Sequence, residues 1–243
     1  MENERYNQYM TWQDKIISIG KELRERGEFL KSRRSKLNEE HTEILTEMDR
    51  HVMIHPDNRK ELGDKLLYEC MDFVNIGGIM LAMVDEELPL NIMLQRLLVH
   101  HPLYGTKPRA EYTIGGEYER CRLFDMWENE LCHIDRESSK LIKKGKYIWE
   151  KKVEDTMRSW RNEFRQLDEH LLYLPNSWDK YIDHSKNNKI KNPIFYIKTT
   201  LGDSINYSPI TLGLFGYDTH LPFKEMHNKL IQRDSRYGTG AKK

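Results

Sequence analysis

Apolar residues dominate one stretch of this chain, residues 62–99, for long enough to build a core. Leu66, Cys70, Phe73, Val74, Gly77, Met80, Leu81 and Val84 recur at intervals of three and four, the spacing of one helical stripe. Leu67, Met71, Ile79 and Met83 add a second apolar face, and a helix apolar on several sides is normally buried. After Asp85–Pro89 a shorter run follows through Leu90, Met93, Leu94, Leu97 and Leu98 to His100-His101-Pro102. The pattern predicts a buried helical hairpin. Gly77-Gly78 sits inside its first arm and costs that helix about 2 kcal/mol relative to alanine. The helix survives there only if a neighbour packs closely or the helix bends.

Residues 4–50 read as one long helix or two nearly collinear ones. Tyr9, Ile16, Leu23, Leu30, Leu37 and Ile44 repeat every seven residues. The positions four further on are Gln13, Gly20, Gly27, Arg34, His41 and Met48, so the second apolar column of a coiled coil is missing. A long helix laid across a partner surface fits this narrow stripe. The charged stretch Lys21–Arg34 reads as a solvated face. Pro56 stops the helix, and Asp57 or Asn58 is placed to cap the next one.

Residues 102–116, with Pro102, Gly105, Pro108, Gly115 and Gly116, read as a loop. A second helical region runs from about Glu117 to Leu174. Its first stripe is Cys121, Phe124, Trp127, Leu131 and Ile134, and Gly145 marks a break. Its last stripe is Trp149, Val153, Met157, Trp160, Phe164, Leu167 and Leu171. Beyond Pro175 the texture changes. Ser177–His184 suits a short helix and Ser185–Asn192 a polar linker. Ile194–Thr200 and Ile205–Thr211, rich in β-branched and aromatic residues and separated by Gly202-Asp203, predict a small β-hairpin. Pro222–Arg233 predicts a terminal helix, and 236–243 is a small basic tail. The expected architecture is mainly α: long helices around a central helical hairpin, with an extended C-terminal segment. Its divisions are a long amphipathic N-terminal helix region (1–55), a helical core (56–174) and an extended arm with a short terminal helix (175–243).

Composition narrows the function classes. Among 243 residues, 39 basic and 39 acidic side chains cancel, so no whole-chain field draws the protein to nucleic acid or an anionic membrane. Charged residues reach 32% and mean hydropathy is −0.80, which suits an elongated helical shape. Cys70, Cys121 and Cys132 are too few for a disulfide framework and include no Cys-x-x-Cys pair, favouring an intracellular, reducing setting. The acidic start Met-Glu-Asn-Glu-Arg lacks the basic-then-apolar order of a targeting segment. The clean apolar run Ile76–Val84 is shorter than the roughly 20 residues of a membrane span, so a chain that is soluble, or peripheral at most, with no transmembrane span is expected.

Several groups have the residue types of chemical sites. Glu47, His51 and His55 lie four apart, a spacing that aligns metal donors on a helix. Pro56 puts His55 at the helix end, and the expectation is capping or surface histidines. Glu130-Leu131-Cys132-His133 holds one Glu-x-x-His, where a di-metal bundle needs two. Cys121 and Cys132 share a helical face, too far apart for a mutual disulfide; either could take a histidine partner as a nucleophile, against the simpler reading of structural thiols. His55-Pro56-Asp57 resembles the signature loop of J-domain co-chaperones, which lies between two antiparallel helices. That family has a basic helix before the tripeptide, whereas Glu43, Glu47 and Asp49 make this one acidic, so it is read as a structural turn. Lys140–Lys152, interleaved with Tyr147 and Trp149, and Lys186–Lys191 have the composition of a nucleic-acid surface. Glu150, Glu154 and Asp155 close off the first of these.

The leading expectation is therefore a non-catalytic helical subunit of a larger protein assembly, without cofactor or bound metal and with no small-molecule substrate evident. Trp127, Trp149, Trp160, Phe164, Trp178, Phe195, Tyr196, Phe215 and Tyr217 are its expected interface residues, because a few aromatic anchors carry most of an interface's energy. The alternatives are a nucleic-acid-associated protein using residues 140–152, and a metal- or thiol-dependent enzyme.

Overall fold

The computed structural model describes residues 4–53, 64–84, 90–101, 106–107, 119–172 and 193–232. Within them the chain is mainly helical: α1 (Glu4–Glu25), α2 (Leu30–Met53), α3 (Lys65–Val84), α4 (Leu90–His100), α5 (Arg120–Ile142), α6 (Lys146–Leu172), α7 (Pro193–Leu214) and α8 (Phe223–Gln232). The expectations for Asp57/Asn58, His55-Pro56-Asp57, Ser177–His184, Trp178, Lys186–Lys191 and the basic tail lie outside the described residues.

The seven-residue stripe of the first two helices is buried throughout: Tyr9, Ile16, Leu23, Leu30, Leu37 and Ile44 are all inaccessible. What covers it is this chain, because α1 packs on α3 and α8, and α2 on α3 and α6. The break between the two helices is at Gly27, whose φ of 75° is left-handed. There Glu28 N–H donates to the Leu23 carbonyl and Gly27 N–H to the Arg24 carbonyl, both over 2.9 Å. This paired closure satisfies carbonyls the helix end would otherwise leave open.

Much of the second column beside that stripe is interior too: Gln13, Gly20, His41 and Met48 are buried, Arg34 partly so, and Gly27 is exposed at the break. Gln13 accepts from the Tyr9 hydroxyl and from Arg120 of α5. Gly20 lies against Ala82 of α3. Arg34 grips Asp168 of α6 with two bonds, Nε to Oδ1 at 2.5 Å and a second nitrogen to Oδ2 at 2.7 Å. His41 stacks on Phe164 of α6, with centroids 4.0 Å apart and planes 11° from parallel. Each polar member of the column has a partner on another helix.

The α3 helix runs unbroken through Gly77-Gly78 because both glycines are contact points. A methyl group on Gly78 would come 2.9 Å from Ile16 of α1, and one on Gly77 would come 3.2 Å from Ile205 of α7. The absent side chains leave room for the neighbours, and that packing offsets the lost helix propensity. By length and composition α3 is long and apolar enough to cross a membrane, but 78% of its most apolar window is buried among the other helices, as in a core helix.

Two expectations need correction. The α3–α4 pair is not a packed hairpin, since α4 makes its main contacts with α5 and α7. The predicted β-hairpin is instead the single helix α7. Every residue from Thr200 to Phe215 of this segment is buried, among α3, α4, α5 and α6. A buried hairpin would carry unpaired edge groups into the interior, whereas a helix satisfies its backbone internally. Burial on all sides thus overrides the β-branched residues' preference for strands. Gly216, with φ 70°, ends α7 by the closure that ends α1, Tyr217 N–H donating to the Leu212 carbonyl over 2.9 Å.

Residues from all three stretches of the chain share one continuous apolar cluster. At one end Tyr9 stacks on Phe124 at 4.7 Å and meets Phe223 edge-on at 5.4 Å, joining α1, α5 and α8. Near the middle Phe73, Trp160 and Tyr207 join α3, α6 and α7, with the Trp160 and Tyr207 rings stacked at 5.7 Å.

Candidate functional site

Most of the expected interface aromatics are inside the chain. Trp127, Trp149, Trp160, Phe164 and Phe215 are buried, their polar atoms largely used in tying helices together. Trp127 Nε1–H donates to Asn206 Oδ1 at 2.8 Å, and Trp149 Nε1–H donates to the Leu214 carbonyl at 2.9 Å. Tyr217 is partly buried against the cluster. Among the described ones, Phe195 faces outward, 53% exposed on the first turn of α7. Beside it Tyr196 stacks on His170 of α6 at 5.4 Å, which sets the start of α7 next to the end of α6. That end carries Leu172, itself 44% exposed. Leu172 and Phe195 are thus exposed apolar residues at neighbouring helix ends.

A second site lies between α4, α6 and α7, where ionisable groups converge. The helices are held close by two contacts one turn apart on α7. Gly202 leaves space for Met93, whose Cγ would lie 3.3 Å from an added methyl, and Asn206 Nδ2–H donates to the Met93 carbonyl at 3.0 Å. Between them Asp203 points at Arg96 and His100, which are four apart on α4. Arg96 donates from Nε to Asp203 Oδ2 at 2.5 Å, and His100 Nδ1 is 3.9 Å from Asp203 Oδ1. Glu163 of α6 completes the group, and the donor atoms of His100, Glu163 and Asp203 lie within 4.8 Å of one another. His100 Nδ1 and Glu163 Oε2 are buried without a hydrogen bond.

Burial governs the protons here. It pushes the Asp203 carboxyl from 3.8 up to about 7, with Arg96 opposing and the Glu163 charge reinforcing. Burial, with the Arg96 charge beside it, pushes His100 down to about 4, and burial raises Glu163. At neutral pH the site thus holds a neutral imidazole beside two carboxyls that resist ionisation together. One imidazole and two carboxylates are also a donor set that suits a divalent transition metal. The visible sequence signal was the Arg96/His100 spacing and an aspartate amid apolar residues; the expected β-turn at Gly202-Asp203 concealed it.

The sequence-derived metal candidates diverge. His51 Nδ1–H donates to the Glu47 backbone carbonyl at 2.7 Å, while the Glu47 carboxylate turns to Lys65 at 2.6 Å. Glu130 lies 2.5 Å from His101 in the interior, whereas His133 bonds the Lys107 carbonyl. In the basic stretch Tyr147 is exposed but Trp149 is buried, and Lys152 is mostly covered. Burial lowers the Lys152 ammonium to about 8. Cys121 is exposed rather than part of the core stripe, and Cys70 is buried. Cys132 has His220, not His133, as its imidazole neighbour, at 3.4 Å. No family model, curated protein or solved structure matches this chain.

Proposed function

We propose that this chain is a non-catalytic helical subunit of a larger protein assembly, docking as a prefolded unit through the corner formed by the end of α6 and the start of α7. The observation that carries the reading is the exposure of Phe195 and Leu172, 53% and 44%, at adjoining helix ends. Aromatic and aliphatic anchors of this kind gain most when a partner removes them from water. The described helices bury their apolar faces against one another, so a partner at these helix ends need not order them. The test is the double variant Phe195→Asp/Leu172→Asp in the protein's native source. The expected result is unchanged unfolding of the purified chain together with loss of the variant from the high-mass fraction that holds the wild type. A wild-type chain that fractionates as a monomer at native concentration overturns the proposal.

The ionisable group between α4, α6 and α7 favours a second reading, a metal-dependent protein. His100, Glu163 and Asp203 would hold the ion, with Arg96 on the outer oxygen of Asp203 fixing that carboxylate's orientation. The ion would supply a Lewis acid within the bundle. Elemental analysis of the purified chain decides: stoichiometric zinc, manganese or iron that is lost in His100→Ala supports this reading, and its absence removes it.

A further inference from the structure

The turn between α7 and α8 lies against the middle of α5. Gly213 permits this approach, because a methyl group there would come 2.4 Å from Asp135 Oδ1 and 2.8 Å from Thr219 Cγ2. Within the turn, Asp218 Oδ1 accepts from the His220 backbone N–H at 2.9 Å and from His220 Nδ1 at 2.7 Å. With Nδ1 engaged by the carboxylate, the other ring nitrogen is left to accept. Nε2 lies 3.4 Å from Cys132 Sγ, and Thr219 Oγ1 lies 3.7 Å from the same sulfur. The order thiol, imidazole, carboxylate, with each ring nitrogen facing its proper partner, is that of an activated nucleophile. The thiol is partly exposed and His220 more so, so small molecules reach the sulfur from solvent.

We propose that Cys132 is a nucleophilic thiol and a site of reversible modification by low-molecular-weight disulfides, with His220 as its proton acceptor and Asp218 as the positioning residue. The Cys132 proton moves to His220 Nε2, and the sulfur attacks one sulfur of the disulfide. The new S–S bond forms as the old one breaks, and its electron pair leaves on the departing thiolate, which takes the proton back from His220. The products are a mixed disulfide at Cys132 and one free thiol, so electrons and protons balance. Disulfide exchange suits this position better than acyl transfer. Cys132 is in mid-helix, where backbone N–H groups are committed to the helix ladder, and acyl transfer needs free donors for a developing oxyanion.

The surrounding charges bear on the pH response. Asp135 of α5 is half-buried and raised by burial and by Asp218, and Arg5 of α1, paired with Glu128, stands near Asp218. His220 is raised to about 9, first by its bond to Cys132 and also by Asp218, so the imidazole holds at neutral pH the proton it takes from Cys132. The other two cysteines serve as internal controls. Cys70 is fully buried with its thiol pushed far up by burial, and Cys121 is exposed beside Glu119.

The test treats the full-length chain at pH 7 with oxidised glutathione and follows each cysteine by peptide mass spectrometry. The expected result is modification at Cys132 ahead of Cys121, with Cys70 unmodified in the folded protein. His220→Ala slows Cys132 on the order of tenfold and moves its rate-against-pH curve upward, and Asp218→Asn moves the curve in the same direction by less. Circular dichroism checks that these surface variants fold. Equal or faster reaction at Cys121, or an unchanged rate and pH curve at Cys132 in folded His220→Ala, overturns the proposal.

Discussion

Gly20 of α1 faces Ala82 of α3 so closely that a methyl group on the glycine would sit 2.8 Å from the alanine Cβ and 2.9 Å from its carbonyl carbon. The obstacle is backbone, which has little freedom to move. Gly20→Ala therefore forces α1 and α3 apart, with an overpacking cost of about 1–3 kcal/mol, against a helix-propensity gain of about 1 kcal/mol. Gly78→Ala meets the flexible Ile16 Cδ1 at 2.9 Å instead and costs less. Urea unfolding of the two variants checks the order, and Gly78→Ala proving the more damaging would contradict it.

Asn206 joins three helices, accepting from Trp127 of α5 and donating to the Met93 carbonyl of α4. Asn206→Ala strands the buried Trp127 N–H, worth about 1–3 kcal/mol when left unpaired, and takes a second donor from the Met93 carbonyl, which the ladder of α4 also uses. Trp127→Phe removes the donor and strands only the amide oxygen, so it costs less through this bond. Because the two act through a shared bond, the double variant should lose less than the sum of the singles. A double-mutant cycle by denaturant unfolding measures this coupling, and strict additivity would deny it.

His41, covered by Phe164 and Trp160, is pushed by burial from 6.5 down to about 4, with Arg161 adding to the shift. The unfolded chain therefore takes up this proton first. For this group, stability is flat above pH 6.5 and falls as pH drops from 6.5 to 4, by up to about 1.4 kcal/mol per pH unit. His100 acts in the same direction, while Asp203, raised to about 7, opposes both between its ordinary 3.8 and 7. His41→Leu should flatten the acid limb of a stability-against-pH curve. Curves for wild type and variant that run parallel from pH 7 to 4 would rule the assignment out.

The Arg34–Asp168 pair closes α2 onto α6, and the Arg34 bond holds the Asp168 carboxyl below its ordinary 3.8. A depressed carboxyl stabilises the fold above its unfolded value, and that contribution disappears as pH falls through the folded value. Arg34→Lys keeps the charge but loses the two-pronged geometry. At neutral pH the cost should be under about 1 kcal/mol, since both side chains are partly solvated. The difference from wild type should shrink as pH falls below the ordinary 3.8, as thermal unfolding at pH 7 and pH 3 can test.

Helical periodicity found nearly every described helix, because a buried stripe at intervals of three and four is written directly into residue order. The Gly145 break and the stripe from Trp149 to Leu171 were legible for that reason. The column of Gln13, Gly20, Arg34 and His41 was not: a polar seam and a solvated face have the same composition until the partners are known. Asp203 was obscured by the same ambiguity, since β-branched neighbours and a Gly-Asp pair fit a turn as well as the waist of a buried helix. His220 lies 88 residues from Cys132, and no local pattern links them.

By itself the sequence determined which stretches become helices and which edge of each avoids water, since both follow from side-chain size and spacing along the chain. Only the tertiary structure decided what covers those edges, and the described helices largely cover one another. It also decided which distant polar groups meet, and at Asp203 it decided the element itself. Burial on every side requires a backbone that satisfies its own hydrogen bonds, and that requirement outweighs local preference.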